Sequence, residues 1–336
     1  MSKKPVIGVL LGDSAGVGPE LVAKVIAMGE CQKLCNPVII GDSRIFERGM
    51  KIAEVSIPWH AVSDITEADW EKGIPILDQK DQDPEQIPLA VSSEYCGKAI
   101  VNAITVAVNL CKEGKLNGFF FAPFTKASMK LSGMPFESED YLMAHLFDLK
   151  ETFGEISVLD NVVAIRTTSH IPIKDVSSWL TEERILKTIR YANDTLKSMG
   201  FENPVIGIAA LNPHGGENGT CGREEIEVIA PTIKKAQEEG IGAKGPYPAD
   251  TLFRRAFKGD FDGVVTMFHD QGQIALKTVG FERGVTISGG MPVPIVTCSH
   301  GSAYDIAGKN IVNPTSLSNA MKMTCKMAQV ALDKNN

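Results

Sequence analysis

The stretch Gly263-Val264-Val265-Thr266-Met267-Phe268-His269-Asp270-Gln271-Gly272 decides how this chain is read. β-Favouring residues run without a break into a His-Asp pair, so two ligand-capable groups are expected at the C-terminal end of a strand. In open parallel α/β sheets, sites are built at that edge. Lys277 and a glycine-broken segment, 284–290, follow. A second polar loop then reads Ser299-His300-Gly301-Ser302-Ala303-Tyr304-Asp305-Ile306-Ala307-Gly308-Lys309-Asn310-Ile311-Val312-Asn313-Pro314. Two such loops so close together read as one half of an active site.

Outward from there, short apolar runs alternate with helical periodicity. Strands are expected at 6–11, 37–40, 117–122, 162–166, 205–211 and 263–268. Helices are expected at 19–28, 93–110, 141–147, 181–199, 223–239, 249–257 and 317–332, with 61–95 a polar surface excursion. Such alternation predicts an α/β fold, two-lobed and layered α/β/α, with a mostly parallel sheet. A chain of 336 residues exceeds one comfortable core, and no linker is visible, so two lobes interleaved in sequence are expected. After the first strand, Gly12, Gly16 and Gly18 open a helix at Pro19, and Asp42 follows the next strand. That invites a dinucleotide fingerprint, but the spacing is GxxxGxG rather than GxGxxG. A loop approaching a substrate or metal is the preferred reading.

Bulk properties narrow the function. The chain is 43% hydrophobic and 22% charged, with a net charge of −7. It lacks the basic face that nucleic acid or an anionic membrane would need. No apolar run reaches membrane-span length, and the N-terminal residues do not form a signal peptide, so a cytoplasmic protein is expected. The seven cysteines, odd in number and without CxxC spacing, read as reduced thiols.

Three of the six histidines, His170, His214 and His269, lie just past expected strand ends. Singly, each reads as an ordinary polar residue. Together they match the neutral nitrogen donors that zinc, cobalt or nickel prefers, with positions left open for substrate. His60 and His145 sit in apolar patterns and read as structural.

The loop His300-Gly301-Ser302-Ala303-x-Asp305-Ile306-Ala307-Gly308-Lys309-x-Ile311-x-Asn313-Pro314 resembles the nucleotide loop of the isopropylmalate and isocitrate β-decarboxylating dehydrogenases. That resemblance implies NAD, with His300, Gly301, Asp305 and Asn313 at the cofactor: Asp305 on the adenosine ribose and Asn313 near adenine. A carboxylate suits a ribose diol and repels a 2′-phosphate.

Nearly the whole chain is similar to a narrower group, the 4-hydroxythreonine-4-phosphate dehydrogenases of pyridoxal phosphate biosynthesis. The landmarks are Gly12-Asp13-x-Ala15-Gly16-x-Gly18-Pro19-Glu20, Asn212-Pro213-His214-x-Gly216-Glu217, Gly245-Pro246-x-Pro248-x-Asp250-Thr251 and His269-Asp270-Gln271-Gly272. The resemblance implies an isocitrate/isopropylmalate dehydrogenase-like fold. It also implies a homodimer in which His170, His214 and His269 hold one divalent metal (Zn, Co, Ni, Mg or Mn) at the subunit interface. The lobes would be 1–125 with 300–336 on the nucleotide side, and 126–299 carrying the metal ligands and dimer contacts. The reaction implied is NAD-linked oxidation of a secondary alcohol in a hydroxy acid, followed by β-decarboxylation. Lys277, matching a substrate-contacting lysine, is the proton-carrier candidate, with Asp250 and Asp270 beside the metal and Lys126 a lesser contender.

The chain departs from that group at the expected substrate pocket of Glu139, Asp140, Lys277, Thr286 and Ile295. Glu139-Asp140 stands where relatives carry His-Thr, and Thr286 and Ile295 stand where they carry Asn and Arg. Losing an Arg–phosphate fork costs on the order of 1.5–3 kcal/mol, so an altered phosphate pocket and an unphosphorylated acid are expected. Alternatives are a threonate or erythronate 4-phosphate, or a cis-dihydrodiol carboxylate as in the terephthalate dihydrodiol dehydrogenases. From other classes come a phosphate acyltransferase or a silent metal-binding paralogue.

Overall fold

A computed structural model describes residues 4–150 and 153–334. In chain order the strands are β1 (Val6–Leu10), β2 (Asn36–Gly41), β3 (Trp59–Val62), β4 (Ile74–Asp78), β5 (Phe119–Phe121), β6 (Gly154–Leu159), β7 (Val162–Arg166), β8 (Val205–Ala209), β9 (Gly242–Tyr247), β10 (Gly263–Thr266), β11 (Val285–Gly289) and β12 (Ile295–Cys298). They divide into two compact units, Met1–Phe153 with Val285–Asn336, and Gly154–Gly284.

In the first unit the strand order is β3-β4-β2-β1-β5-β12-β11. Every pairing there is parallel except that of β11 with β12. Its central strands are apolar throughout, as strands covered on both faces must be: Ile7, Val9, Leu10, Phe119 and Phe120 are fully buried. Residues 126–153 and 285–299, expected in the central lobe, belong to this unit instead. The reason is pairing and packing: β12 runs beside β5, and the helices Lys126–Leu131 and Glu139–Leu146 pack on the long helix Glu94–Lys112.

In the second unit the order is β6-β7-β10-β8-β9. β7, β10, β8 and β9 are parallel, and β6 returns antiparallel on β7. Thus β10, the strand that opened the sequence reading, has a parallel neighbour on each side.

The expected surface excursion, 61–95, holds the end of β3 and the largely buried β4. Strands β6, β9, β11 and β12 also went unanticipated. Each is short, several carry Pro or Gly, and pairing partners rather than propensity decide such segments.

The glycine turn after β1 is not a dinucleotide site of the GxGxxG kind. Gly12 adopts φ 79°, and a Cβ on Gly16 would lie 2.7 Å from the Ser302 carbonyl oxygen, so both positions require glycine. Asp42 is committed elsewhere. It is buried, caps the helix Ser43–Ala53 through Arg44 N (3.0 Å), takes both arms of the Arg44 guanidinium (2.9 and 2.8 Å), and accepts from Gln82 N (2.9 Å).

All seven cysteines are free, and all but Cys221 are buried. Among the described residues no helix is long and apolar enough to cross a membrane. His60 Nε2 accepts from Asp69 N (3.4 Å), and His145 packs on the Phe136 ring (5.0 Å between centroids), as structural histidines should.

Ile295, expected at the substrate, is 0% exposed and packs in the apolar core with Phe119, Leu142 and Met143. The strand turns this side chain inward, so Ile295 itself offers a substrate no contact. Ile295→Ala should therefore destabilise the fold by about 2–5 kcal/mol in denaturant melts, while the folded fraction keeps its substrate affinity. A stability-neutral variant with altered affinity would return Ile295 to the pocket.

Candidate active site

Three parallel neighbours, β7, β10 and β8, deliver three histidine-bearing loops to one edge of the second unit's sheet. Beyond β7 and β10 the chains remain stitched together. Thr167 N donates to Thr266 O (2.8 Å), and Thr168 N and Oγ1 both donate to Met267 O (3.1 and 2.8 Å). That continuation brings the His170 and His269 rings to 5.6 Å between centroids, tilted by 43°. Gln271 ties the third loop in. Its Nε2 donates to Ala210 O (2.9 Å), just past β8, and its Oε1 accepts from Met267 N (2.8 Å). The Gln of the His-Asp-Gln-Gly motif is thus a brace.

The loop after β8 has an uncommon backbone. His214, Gly215, Gly216, Glu217 and Asn218 all have positive φ, between 45° and 81°. A buried acid holds its entrance: Glu225 accepts from Leu211 N (2.8 Å), Asn212 N (2.8 Å) and Asn212 Nδ2 (3.0 Å). Glu224 accepts from Ser177 Oγ (2.6 Å) and Asn212 Nδ2 (2.7 Å), and these donors, Ser177 first, hold its carboxyl below the usual range.

His214 Nδ1 lies 3.1 Å from Glu217 Oε2, and His269 Nδ1 lies 2.6 Å from Asp270 Oδ1. A carboxylate on Nδ1 leaves Nε2 as the donor to a metal, the usual second partner of a ligating imidazole. His170 and His269 converge. Among the described residues, however, no group of three or more His, Cys, Asp or Glu side chains is placed to hold a metal ion. The donors that one chain brings together thus fit part of a three-imidazole site.

Asp250 is exposed in the first turn of the helix Ala249–Phe257. Asp270 is exposed and engaged by His269. Lys277 is exposed on the helix His269–Gly280, with Nζ 5.9 Å from the Phe281 ring centroid. Eight residues of helix place it roughly 12 Å along the axis from His269.

In the first unit, Glu139 and Asp140 open the helix Glu139–Leu146. Asp140 is buried and accepts a 2.6 Å hydrogen bond from Ser288 Oγ on β11, a partner that sequence spacing could not reveal. Thr286, two residues earlier on β11, is half-buried opposite Thr297. Lys126 is exposed at the start of its helix.

Of the expected cofactor residues, Asp305 is exposed in the short 3₁₀ turn Tyr304–Ile306, and Gly301 is exposed. His300 Nδ1 lies 2.9 Å from Gly301 O. Asn313 Oδ1 accepts from Thr315 N (3.0 Å) and Thr315 Oγ1 (2.7 Å), so its oxygen starts the last helix. The glycine-turn acid Asp13 is fully buried.

Comparison with known proteins shows the family. The family model of the pyridoxal phosphate biosynthetic protein PdxA matches residues 33–324. A Pseudomonas aeruginosa protein named 4-hydroxythreonine-4-phosphate dehydrogenase 2 is 39% identical, over 97% of each chain. An Oceanobacillus iheyensis protein named D-threonate 4-phosphate dehydrogenase is 38% identical, over 98% of this chain and 99% of its own. The crystal structure of a 4-hydroxythreonine-4-phosphate dehydrogenase from Burkholderia phymatum superimposes with a TM-score of 0.84 at 36% identity, covering 97% of this chain and 99% of that one. Fold, motif order and full-length similarity agree: the chain belongs to the PdxA family of dehydrogenases acting on CH–OH groups.

Proposed function

We propose that the chain is a divalent-metal-dependent, NAD-linked dehydrogenase that oxidises the secondary alcohol of a hydroxy-acid 4-phosphate and then releases carbon dioxide. The observation that carries this is the convergence of His170 and His269 past two paired strands, with His214 past the next. When bound, a divalent ion would supply Lewis acidity to the alcohol and NAD would supply the hydride acceptor. The chain's own residues do the rest. The imidazoles would hold the ion, with Asp270 and Glu217 orienting two of the rings. A base must take the hydroxyl proton, and after decarboxylation an acid must return one to carbon. Lys277, Asp250 and Asp270 are the candidates.

A homodimer completes the metal site in this reading. The helix that begins at His269 also exposes Ile274 (63%) and Val279 (49%), with Phe281 (52%) just beyond, an apolar set suited to a second copy. Replacing any of His170, His214 or His269 with Ala should abolish metal retention and turnover together, read by elemental analysis and NADH formation. A His214→Ala enzyme that keeps full activity after chelation would end the metal reading.

Asp305 is exposed and would accept from the ribose diol, so NAD should be preferred over NADP, and Asp305→Ser should narrow that preference. Equal kcat/KM for both cofactors in the unmodified enzyme would remove the assignment.

The phosphate on the substrate follows the names of the relatives, and one structural fact supports it. Asp140 is tied to Ser288, so less of the expected anion-repelling pair faces a substrate. An unphosphorylated hydroxy acid is the second reading, favoured by the acidic pair that opens the helix at Glu139. Steady-state kinetics with D-threonate 4-phosphate, 4-phosphohydroxythreonine and the matching free acids decide between them. At least a tenfold higher kcat/KM is expected for a phosphorylated acid, about one charge-assisted hydrogen bond's worth. A preference for the free acids would favour the second reading.

A further inference from the structure

The loop that carries Asp305 has almost no secondary structure of its own, only the turn Tyr304–Ile306, and two of its non-glycine residues hold left-handed backbone, Ala303 (φ 43°) and Asn310 (φ 58°). Its shape must therefore come from what it touches. On one arm, Val17 N donates to Ser302 O (3.1 Å), and Thr125 Oγ1 and Ser302 Oγ lie 2.6 Å apart. Tyr304 Oη donates to Asp13 Oδ2 (2.8 Å). Asp13 is 0% exposed and is satisfied only by neighbours, accepting also from Ala15 N (2.9 Å) and Ser128 Oγ (3.2 Å). On the other arm, Lys24 Nζ pairs with the buried Glu20 (2.7 Å) and donates to Asn310 O (3.2 Å) and Val312 O (3.1 Å). Asp305 stands exposed between the two arms. Burial pushes the Tyr304 hydroxyl up, so it remains a donor at neutral pH.

We propose that Tyr304 and Lys24 are positioning residues for the cofactor, a two-point clamp that fixes the Asp305 loop to the glycine turn and its helix before any ligand arrives. The proposal rests on the reading of Asp305 as the ribose acceptor. A loop already in its bound shape loses less conformational freedom on binding, so the clamp lowers the dissociation constant of the dinucleotide. The loop grips the cofactor away from the reacting carbon, so the effect belongs in KM for NAD and not in kcat.

The test uses the full-length enzyme with Tyr304→Phe, which removes only the hydroxyl, and Lys24→Met, which removes the other point. NADH binding is titrated directly, kcat and KM for NAD are measured at saturating substrate, and backbone hydrogen exchange is followed over residues 302–312 without cofactor. Each variant should raise the NADH Kd roughly tenfold, the scale of one hydrogen bond to a charged group, move kcat less than twofold, and speed exchange in the loop. Saturating NADH should restore protection. An unchanged Kd alongside normal NADH binding by the unmodified enzyme overturns the clamp, as does an equal fall in kcat. If the unmodified enzyme binds no NADH, the cofactor reading fails and takes this role with it. The exchange measurement stands apart: unaltered protection in Tyr304→Phe overturns the clamp whatever the ligand.

Discussion

Parallel pairing of β7, β10 and β8 is the constraint from which the candidate site follows. Strands running the same way must release their chains at the same edge, so three loops far apart in sequence emerge side by side. Each carries a histidine. The pairing continues past the strand ends, where Thr167 and Thr168 bond to Thr266 and Met267, and this draws His170 against His269. Gln271 then ties the loop of β10 to the end of β8. The three histidines share an address because the backbone is shared.

The loop with His214 shows what such an address costs. A left-handed backbone costs roughly 1–2 kcal/mol per non-glycine residue, and His214, Glu217 and Asn218 all adopt it. The glycines between them, Gly215 and Gly216, relieve the run, and the buried Glu225 carboxylate offsets more by accepting from two backbone N–H groups and the Asn212 amide. Strain held this firmly by its surroundings is a mark of functional loops.

In the first unit the organising groups are buried and polar. Asp13 gathers Ala15, Ser128 and Tyr304, while Arg48 reaches under the same turn to the carbonyl oxygens of Ser14, Pro84 and Ile87. Gln82 Nε2 donates to Ser14 Oγ (2.7 Å). A buried polar group without partners is expensive, so these contacts hold the glycine turn, the segment 82–87 and the Asp305 loop as one piece. The polar composition of 61–95 gave no hint of this, because a solvated loop and a buried network use the same residue types.

Local chemistry settled much of this protein before any tertiary contact was known. The apolar run ending at His269, the histidines past strand ends and the Gly-Pro-Glu helix start follow from short-range rules and from spacing along the chain, while the Asp305 loop is legible only by family resemblance. Tertiary structure decided everything that depends on direction. It turned Ile295 into the core, closed Asp140 onto Ser288, committed Asp42 to Arg44 and Gln82, and buried Asp13 beneath Tyr304. The physical reason is common to all four. A sequence records which groups a residue offers, but whether a carboxylate meets solvent, a ligand or a hydroxyl more than a hundred residues away is fixed only when the sheet is paired.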